Sequence, residues 1–319
     1  MTPGISVALP ALLFLTGVLL LVFCVERLVE SLAKAAVAAG ISAFFLAVVF
    51  TGLDFENWAF GIASALGDLP GIAIGSAFGS ALFLAGVAVP AAGFLVPFEV
   101  RVPRDYLVLT AAAPLILAPF LLDGAVSRPE GGALCLILGG ALAYLYRREK
   151  RGEALLRDAE VEEAEEEVLS GDRPAWYYLG ISALLVLGMI VGSELAVRGA
   201  RGVVAGFGLD ETAFGMTFVG LVMSLEEVLL VVEPVRRGRV PIAAGNLVGS
   251  LLFFSTGNVG LIAATRRLPL DPGVLHLYWP FLFGSTALVT LFLWRGRVKR
   301  PEAVLLGLVY LAYWALAYA

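Results

Sequence analysis

Residues Gly215 to Thr256 read GMTFVGLVMSLEEVLLVVEPVRRGRVPIAAGNLVGSLLFFST. Two adjacent carboxylates, Glu226 and Glu227, lie in a segment that is otherwise apolar enough to be buried in a membrane. A basic turn, Arg236 to Arg239, separates it from the small-residue run Gly245-Asn246-Leu247-Val248-Gly249-Ser250. Each charge near a bilayer centre costs roughly 2.5 to 3.5 kcal/mol on insertion scales, so a neighbouring pair calls for a compensating cation.

The rest of the chain agrees with a membrane setting. It has 319 residues, 60% of them hydrophobic and 15% charged, with a mean hydropathy of +0.91. A span needs about 20 apolar helical residues. Such stretches recur at about 5–25, 35–66, 72–96, 106–122 and 131–146, and again at about 176–197, 212–235, 242–264, 274–294 and 302–319. The second is too long for one straight helix and is interrupted at Thr51 to Asn57, which predicts a broken helix. The fold class is therefore an all-α membrane protein of ten transmembrane helices. Residues 1–146 and 175–319 carry five each, and 147–174 form a linker with an acidic run, Glu153 to Glu167.

Lys and Arg set the orientation. Segments 27–34, 101–104, 147–173, 236–239 and 295–300 hold 17 of the 22 basic residues. These alternate segments are assigned to the cytoplasm, so both termini are expected outside and the acidic linker inside. The acidic run lacks the alternating oxygens and turn glycine of a calcium loop. Cys24 and Cys135 both lie in apolar spans and read as small buried residues.

The two polar membrane regions superpose at a constant offset of 170. Glu56 falls on Glu226, Gly75 on Gly245, Gly79 on Gly249, Ser80 on Ser250 and Phe83 on Phe253. An odd number of spans per half makes the two halves enter the membrane from opposite sides. This is an inverted repeat, an architecture that builds its site near the midplane from discontinuous helices.

Residues three apart share a helix face, so Asp54 with Asn57, and Ser224 with Glu227, each present an oxygen patch. Ser80, Ser250 and unwound carbonyls add neutral oxygens. The donors are all oxygen, which suits hard cations and not soft transition metals. Glu56 and Glu226 point about 100° away from these patches on an ideal helix. For them an ion-pathway or proton-carrying role and a structural hydrogen-bonding role both stand. Asn246 belongs with them as a supporting group.

At these residues the sequence resembles the cation/calcium exchanger superfamily, whose best-known members are the sodium/calcium exchangers. That family carries two inverted repeats with motifs like G-T-S-x-P-E and G-N-x-x-G-S-N-x-x-N/D. Ser224 and Glu227 stand at the motif serine and ligand glutamate, and Gly245, Asn246, Gly249 and Ser250 fit the downstream motif. In the first repeat Asp54 and Asn57 take the serine and glutamate positions, and Ser76 replaces the first asparagine. Glu56 and Glu226 stand where the family has proline, and the last polar position is apolar at Leu84 and Phe254.

The resemblance implies a secondary-active cation antiporter with Asp54, Asn57, Ser80, Ser224, Glu227 and Ser250 as metal ligands. It implies transported Ca²⁺ and Na⁺, or H⁺ in a proton/cation exchanger, with no organic cofactor and no nucleic-acid partner. A sensor or scaffold that has lost transport is the alternative outside transport. An intramembrane enzyme is disfavoured, because the chain has a single histidine, His276, no H-E-x-x-H pair and no nucleophile with a nearby base.

Overall fold

The computed structural model describes residues 3–38, 54–149 and 174–319. The acidic run 153–167 and the expected helix start at 35–53 lie largely outside the described residues. Helix α1 spans Pro3–Ala38, α2 Phe55–Leu66 and α3 Pro70–Phe83, which continues through a π turn, Leu84–Ala88, into α4, Val89–Leu95. Helices α5 (Arg104–Leu117) and α6 (Arg128–Glu149) complete the first half. The second half opens with α7, Ala175–Phe207. A bent segment comes next, made of α8 (Glu211–Phe214), a π turn (Gly215–Val219) and α9 (Gly220–Met223), before α10, Leu225–Arg236. Helix α11, Val240–Leu252, runs through a π turn, Phe253–Asn258, into α12, Val259–Thr265. A π turn at Val274–Tyr278 leads into α13, Trp279–Trp294, and α14 is Arg300–Ala317.

Among the described residues seven helices are long and apolar enough to cross a membrane, and the pair Glu211–Met223 with Leu225–Arg236, bent by 44° at Ser224, would be an eighth. The first span corrects the sequence reading. It does not stop at Val25, because α1 carries Glu26, Arg27, Glu30 and Lys34 within it. Arg27 and Lys34 each bond the Glu30 carboxylate, at 2.8 and 2.7 Å, from one turn before and one turn after it. Pairing of this kind lets charge sit on a continuing helix. Likewise α7 runs past Val197 to Phe207, with Arg198 bonded to Glu194 at 2.7 Å.

Element boundaries repeat as the sequence does. Adding 170 to the bounds of α2 gives those of α10, and adding 170 to those of α4 gives those of α12. Among the described residues four two-residue strands tie the halves together. Phe98–Glu99 pairs antiparallel with Arg297–Val298, and Ala125–Val126 pairs antiparallel with Leu268–Pro269, so each pair joins a first-half loop to a second-half loop.

The spans differ sharply in burial. Pro70–Leu95 is 94% buried and Val240–Thr265 is 89% buried, whereas the other five straight spans are 22–44% buried. The two small-residue helices are thus the centre of the bundle, and the others present apolar side chains outward. Close approach explains the glycines. A Cβ on Gly75 would meet the Gly215 carbonyl carbon at 2.3 Å, and one on Gly79 the Met216 oxygen at 2.3 Å. Here α3 crosses the 215–220 segment backbone against backbone. Glu211 fixes the same crossing, since its Oε1 accepts from the N–H groups of Gly71 and Ile72 at 2.6 and 3.3 Å and so caps α3 from the other half.

The far end of α2 is held by arginines of the second half. Arg266 Nη1 donates to the Ala65 and Leu66 carbonyls, both at 3.1 Å, and its other nitrogen meets Asp68; Arg201 donates to the Gly67 carbonyl. Asp68 is 74% exposed, so its ion pair contributes little, while Arg266 adds a donor to two carbonyls at the helix end, one of which, that of Ala65, also accepts from the Asp68 N–H at 3.3 Å. Arg266→Ala is expected to lower stability by about 1.5 kcal/mol and Asp68→Asn by less than about 1 kcal/mol. Thermal melts of the two variants in detergent check the order.

Candidate functional site

Helix α2 begins at Asp54. Its Oδ1 accepts from the Asn57 backbone N–H at 2.7 Å, and its Oδ2 accepts from Asn57 Nδ2 at 2.7 Å. This is an N-cap, placed where the first turn leaves its N–H groups without partners. Asn57 Oδ1 in turn accepts from the Ser80 hydroxyl at 2.8 Å, which ties α2 to α3. Asn57 and Ser80 are both 0% exposed. Ser76, at the position of Asn246 in the other half, turns back to the Ala73 carbonyl and takes no part.

The second half makes a different set of bonds from equivalent positions. Ser224 sits at the 44° break and precedes α10, but its hydroxyl caps nothing and is buried with no hydrogen-bond partner among the described residues. Glu227, 2% exposed, accepts from Asn246 Nδ2 at 2.7 Å and also interacts with Ser250. One half therefore presents a neutral, internally bonded Asn57–Ser80 pair. The other presents a buried carboxylate backed by an amide and a hydroxyl.

Glu56 and Glu226, whose role the sequence leaves open, lie nearer Asp54 than an ideal helical wheel places them. They are not peripheral to Asp54: one carboxylate oxygen from each of Asp54, Glu56 and Glu226 lies within 4.8 Å of the others. Glu56 and Glu226 occupy the second position of α2 and α10, and helical side chains lean toward the N-terminus. Both carboxylates thus reach back to the ends where the two helices begin. The helix termini also favour negative charge there. An oxygen separation of up to 4.8 Å suits a hard cation between them, because two Ca–O bonds of about 2.4 Å span that distance. Glu227 belongs to the same electrostatic neighbourhood, since its charge and that of Asp54 act on each other. Among the described residues no basic side chain forms an ion pair with Asp54, Glu56 or Glu227.

Other titratable residues have different settings. Glu233 pairs with Arg236 and Arg237 at 3.5 and 2.7 Å on an exposed face. His276 lies in the Val274–Tyr278 π turn. Both cysteines are free; Cys24 is buried as expected, whereas Cys135 is only partly so. Glu211 belongs to no motif of the sequence, although an acidic residue just before an apolar segment is a recognisable helix-start signal.

Comparison with known proteins places this arrangement. The family model described as "Sodium/calcium exchanger protein" matches residues 9–147 and 177–319. The chain is 26% identical over 314 residues to the inner membrane protein YrbG of Escherichia coli K12, covering 96% of both chains. It is 25% identical to the putative antiporter CaxA of Alkalimonas amylolytica over 324 residues, covering 96% of this chain and 97% of that one. The fold is also that of two solved exchangers. The sodium-calcium exchanger NCX_Mj superposes with a TM-score of 0.61 at 20% identity, over 97% of this chain and 98% of that one. The H⁺/Ca²⁺ exchanger CAX superposes with 0.71 at 16% identity, over 97% and 86%. With nearly its whole length matched on both sides of the linker, the chain belongs to the sodium/calcium exchanger family.

Proposed function

We propose that the chain is a secondary-active cation antiporter working by alternating access, with Na⁺ and Ca²⁺ as its exchanged ions. One observation carries the reading. Carboxylates from both halves, Asp54 and Glu56 with Glu226, come within 4.8 Å of one another at the starts of α2 and α10, and the buried Glu227 follows Glu226 in the chain. Concentrated charge of this kind needs a cation, and among the described residues no basic side chain pairs with Asp54, Glu56 or Glu227, which leaves that place to cargo. Asn57, Ser80, Ser224 and Ser250 add neutral oxygens, and Asn246 orients Glu227. The expected ligand set is thus enlarged by Glu56 and Glu226.

The ten-span inverted arrangement belongs to the same proposal. The repeat of element bounds at an offset of 170 supports it, as does the paired swap of strands between halves. A second half entering from the opposite side would put both termini outside and the acidic linker in the cytoplasm, as the basic residues favour. Coupling arises if two ions compete for the same carboxylates and only the loaded site reorients.

Proton/cation exchange is the second reading, and the crowding of Asp54, Glu56 and Glu226 favours it. Carboxyl groups this close relieve their repulsion by taking up either a cation or a proton. Proteoliposomes separate the two. Calcium uptake driven by an outward sodium gradient, and lost when that gradient is dissipated, is the expected result. Uptake driven by a proton gradient and indifferent to sodium replaces the primary reading with the second. Purified protein that moves no cation under either gradient removes both and leaves a non-transporting membrane protein.

A further inference from the structure

Asn258 is 0% exposed, and neither Nδ2 nor Oδ1 has a hydrogen-bond partner among the described residues. An amide left bare inside an apolar bundle is costly in both of its groups. No sequence motif includes it.

Helix geometry shows where it faces. It closes the Phe253–Asn258 π turn, between α11 and α12. A π turn holds one extra residue, so the residues beyond it lag by about 100°. Eight residues after Ser250, Asn258 would stand about 80° away on an unbroken α-helix; the lag brings it within about 20° of Ser250. The π turn thus returns an oxygen to the Asn246–Ser250 face one turn beyond Phe254, the position that is apolar.

The level is fixed by two contacts. A Cβ on Gly61 would meet Ile262 Cδ1 at 2.3 Å, and Arg266 bonds the carbonyls of Ala65 and Leu66. Helices α2 and α12 therefore run side by side in the same direction, with Ile262 beside Gly61. Asn258, one turn before Ile262 on the same face, is level with Asn57, one turn before Gly61. Ser64, another buried hydroxyl with no partner among the described residues, lies on the Gly61 face toward Arg266. The α2–α12 seam thus carries unsatisfied oxygens on both walls.

We propose that Asn258 is a cation-binding residue of this chain. It holds a hard cation by its amide oxygen at the level of Asn57, on the side of the carboxylates that faces Asp68 and Arg266. The assignment rests on the antiporter reading and adds to it a ligand outside both repeat motifs. A neutral oxygen serves Na⁺ and Ca²⁺ alike, and the two ions form the arms of the test.

Equilibrium titrations of the purified full-length chain with Na⁺ and with Ca²⁺, followed by thermal stabilisation, test it. Asn258→Ala is expected to raise the half-saturating concentration of at least one ion about tenfold, the loss of one good ligand. Asn258→Asp, which keeps the oxygen and adds charge, is expected to tighten Ca²⁺ binding beyond wild type. Thr256→Val, whose hydroxyl is bonded to the Leu252 carbonyl at 2.6 Å in the same turn, is the control and should stay within about twofold of wild type. Unchanged binding of both ions by Asn258→Ala overturns the proposal. If that variant does not fold, an Asn258→Asp protein with wild-type affinity for both ions overturns it equally. Wild-type protein that binds neither ion defeats the antiporter reading itself. Loss of binding in Glu227→Gln beside unchanged Asn258 variants defeats only this assignment.

Discussion

Glu227→Gln is expected to cut cation-driven flux by roughly 100-fold or more, because it takes a full charge from the group proposed to hold the cation, and losing one side of a buried ionic contact costs about 2–5 kcal/mol. The substitution changes little in shape. Gln keeps an oxygen that can accept from Asn246 Nδ2, now at 2.7 Å from Glu227 Oε2, and the side chain stays in its 2%-exposed site. What it removes is the buried charge next to Glu226, which itself lies with Asp54 and Glu56. The folded protein should therefore be as stable as wild type without cation, or more so, since one buried charge has been removed. It should gain much less stability when Ca²⁺ is added. Flux in proteoliposomes and melting temperature against Ca²⁺ concentration check the two halves of this expectation. Wild-type flux in the variant would remove Glu227 from the site. Loss of flux with an undiminished Ca²⁺-induced shift would place its role in reorientation and not in binding.

The second repeat is the more legible half. Ser224, Glu227, Asn246 and Ser250 are readable because charge and small residues recur there at helical spacing, and the structure brings Asn246 and Ser250 to Glu227. The offset of 170 is readable as well, and it returns in the bounds of α2 and α10. The location of Glu56 and Glu226 is not. A helical wheel treats the chain as continuous and so turns them away from Asp54 and Glu227. The helix start at Asp54 and the 44° break at Ser224 place both at helix beginnings, where neighbouring carboxylates converge whatever their angle. Asn258 is hidden for a related reason, since a π turn shifts the phase that spacing arguments assume. The true length of α1 is obscured by its charges, which read as an end and are in fact paired along the helix.

Gly79→Leu is expected to prevent recovery of folded protein. The contact it disturbs is backbone on backbone: a Cβ on Gly79 would meet Met216 O at 2.3 Å and the Gly220 Cα at 2.9 Å, and one on Gly220 would meet the Gly79 Cα at 2.4 Å. A crowded flexible side chain can swing aside, whereas here α3 and the 215–220 segment must separate as rigid pieces. Overpacking a core costs about 1–3 kcal/mol even where side chains can adjust, so about 3 kcal/mol is a lower figure for this site, against a typical total of about 5–15 kcal/mol. The damage would extend to the site. This crossing sets α3, which carries Ser80, against the segment that ends at the Ser224 break, and the Glu211 cap and the bond from Tyr313 to the Met216 carbonyl depend on it. Gly79→Ala is the graded comparison, since one methyl forces a smaller separation. It should yield folded protein with a lower melting temperature and weaker cation binding, because Ser80 is displaced together with its helix. Size-exclusion profiles, melts and Ca²⁺ titrations of the two variants would show this series. A monodisperse Gly79→Leu protein with wild-type stability would mean that α3 and the 215–220 segment do not touch as closely as the backbone distances require.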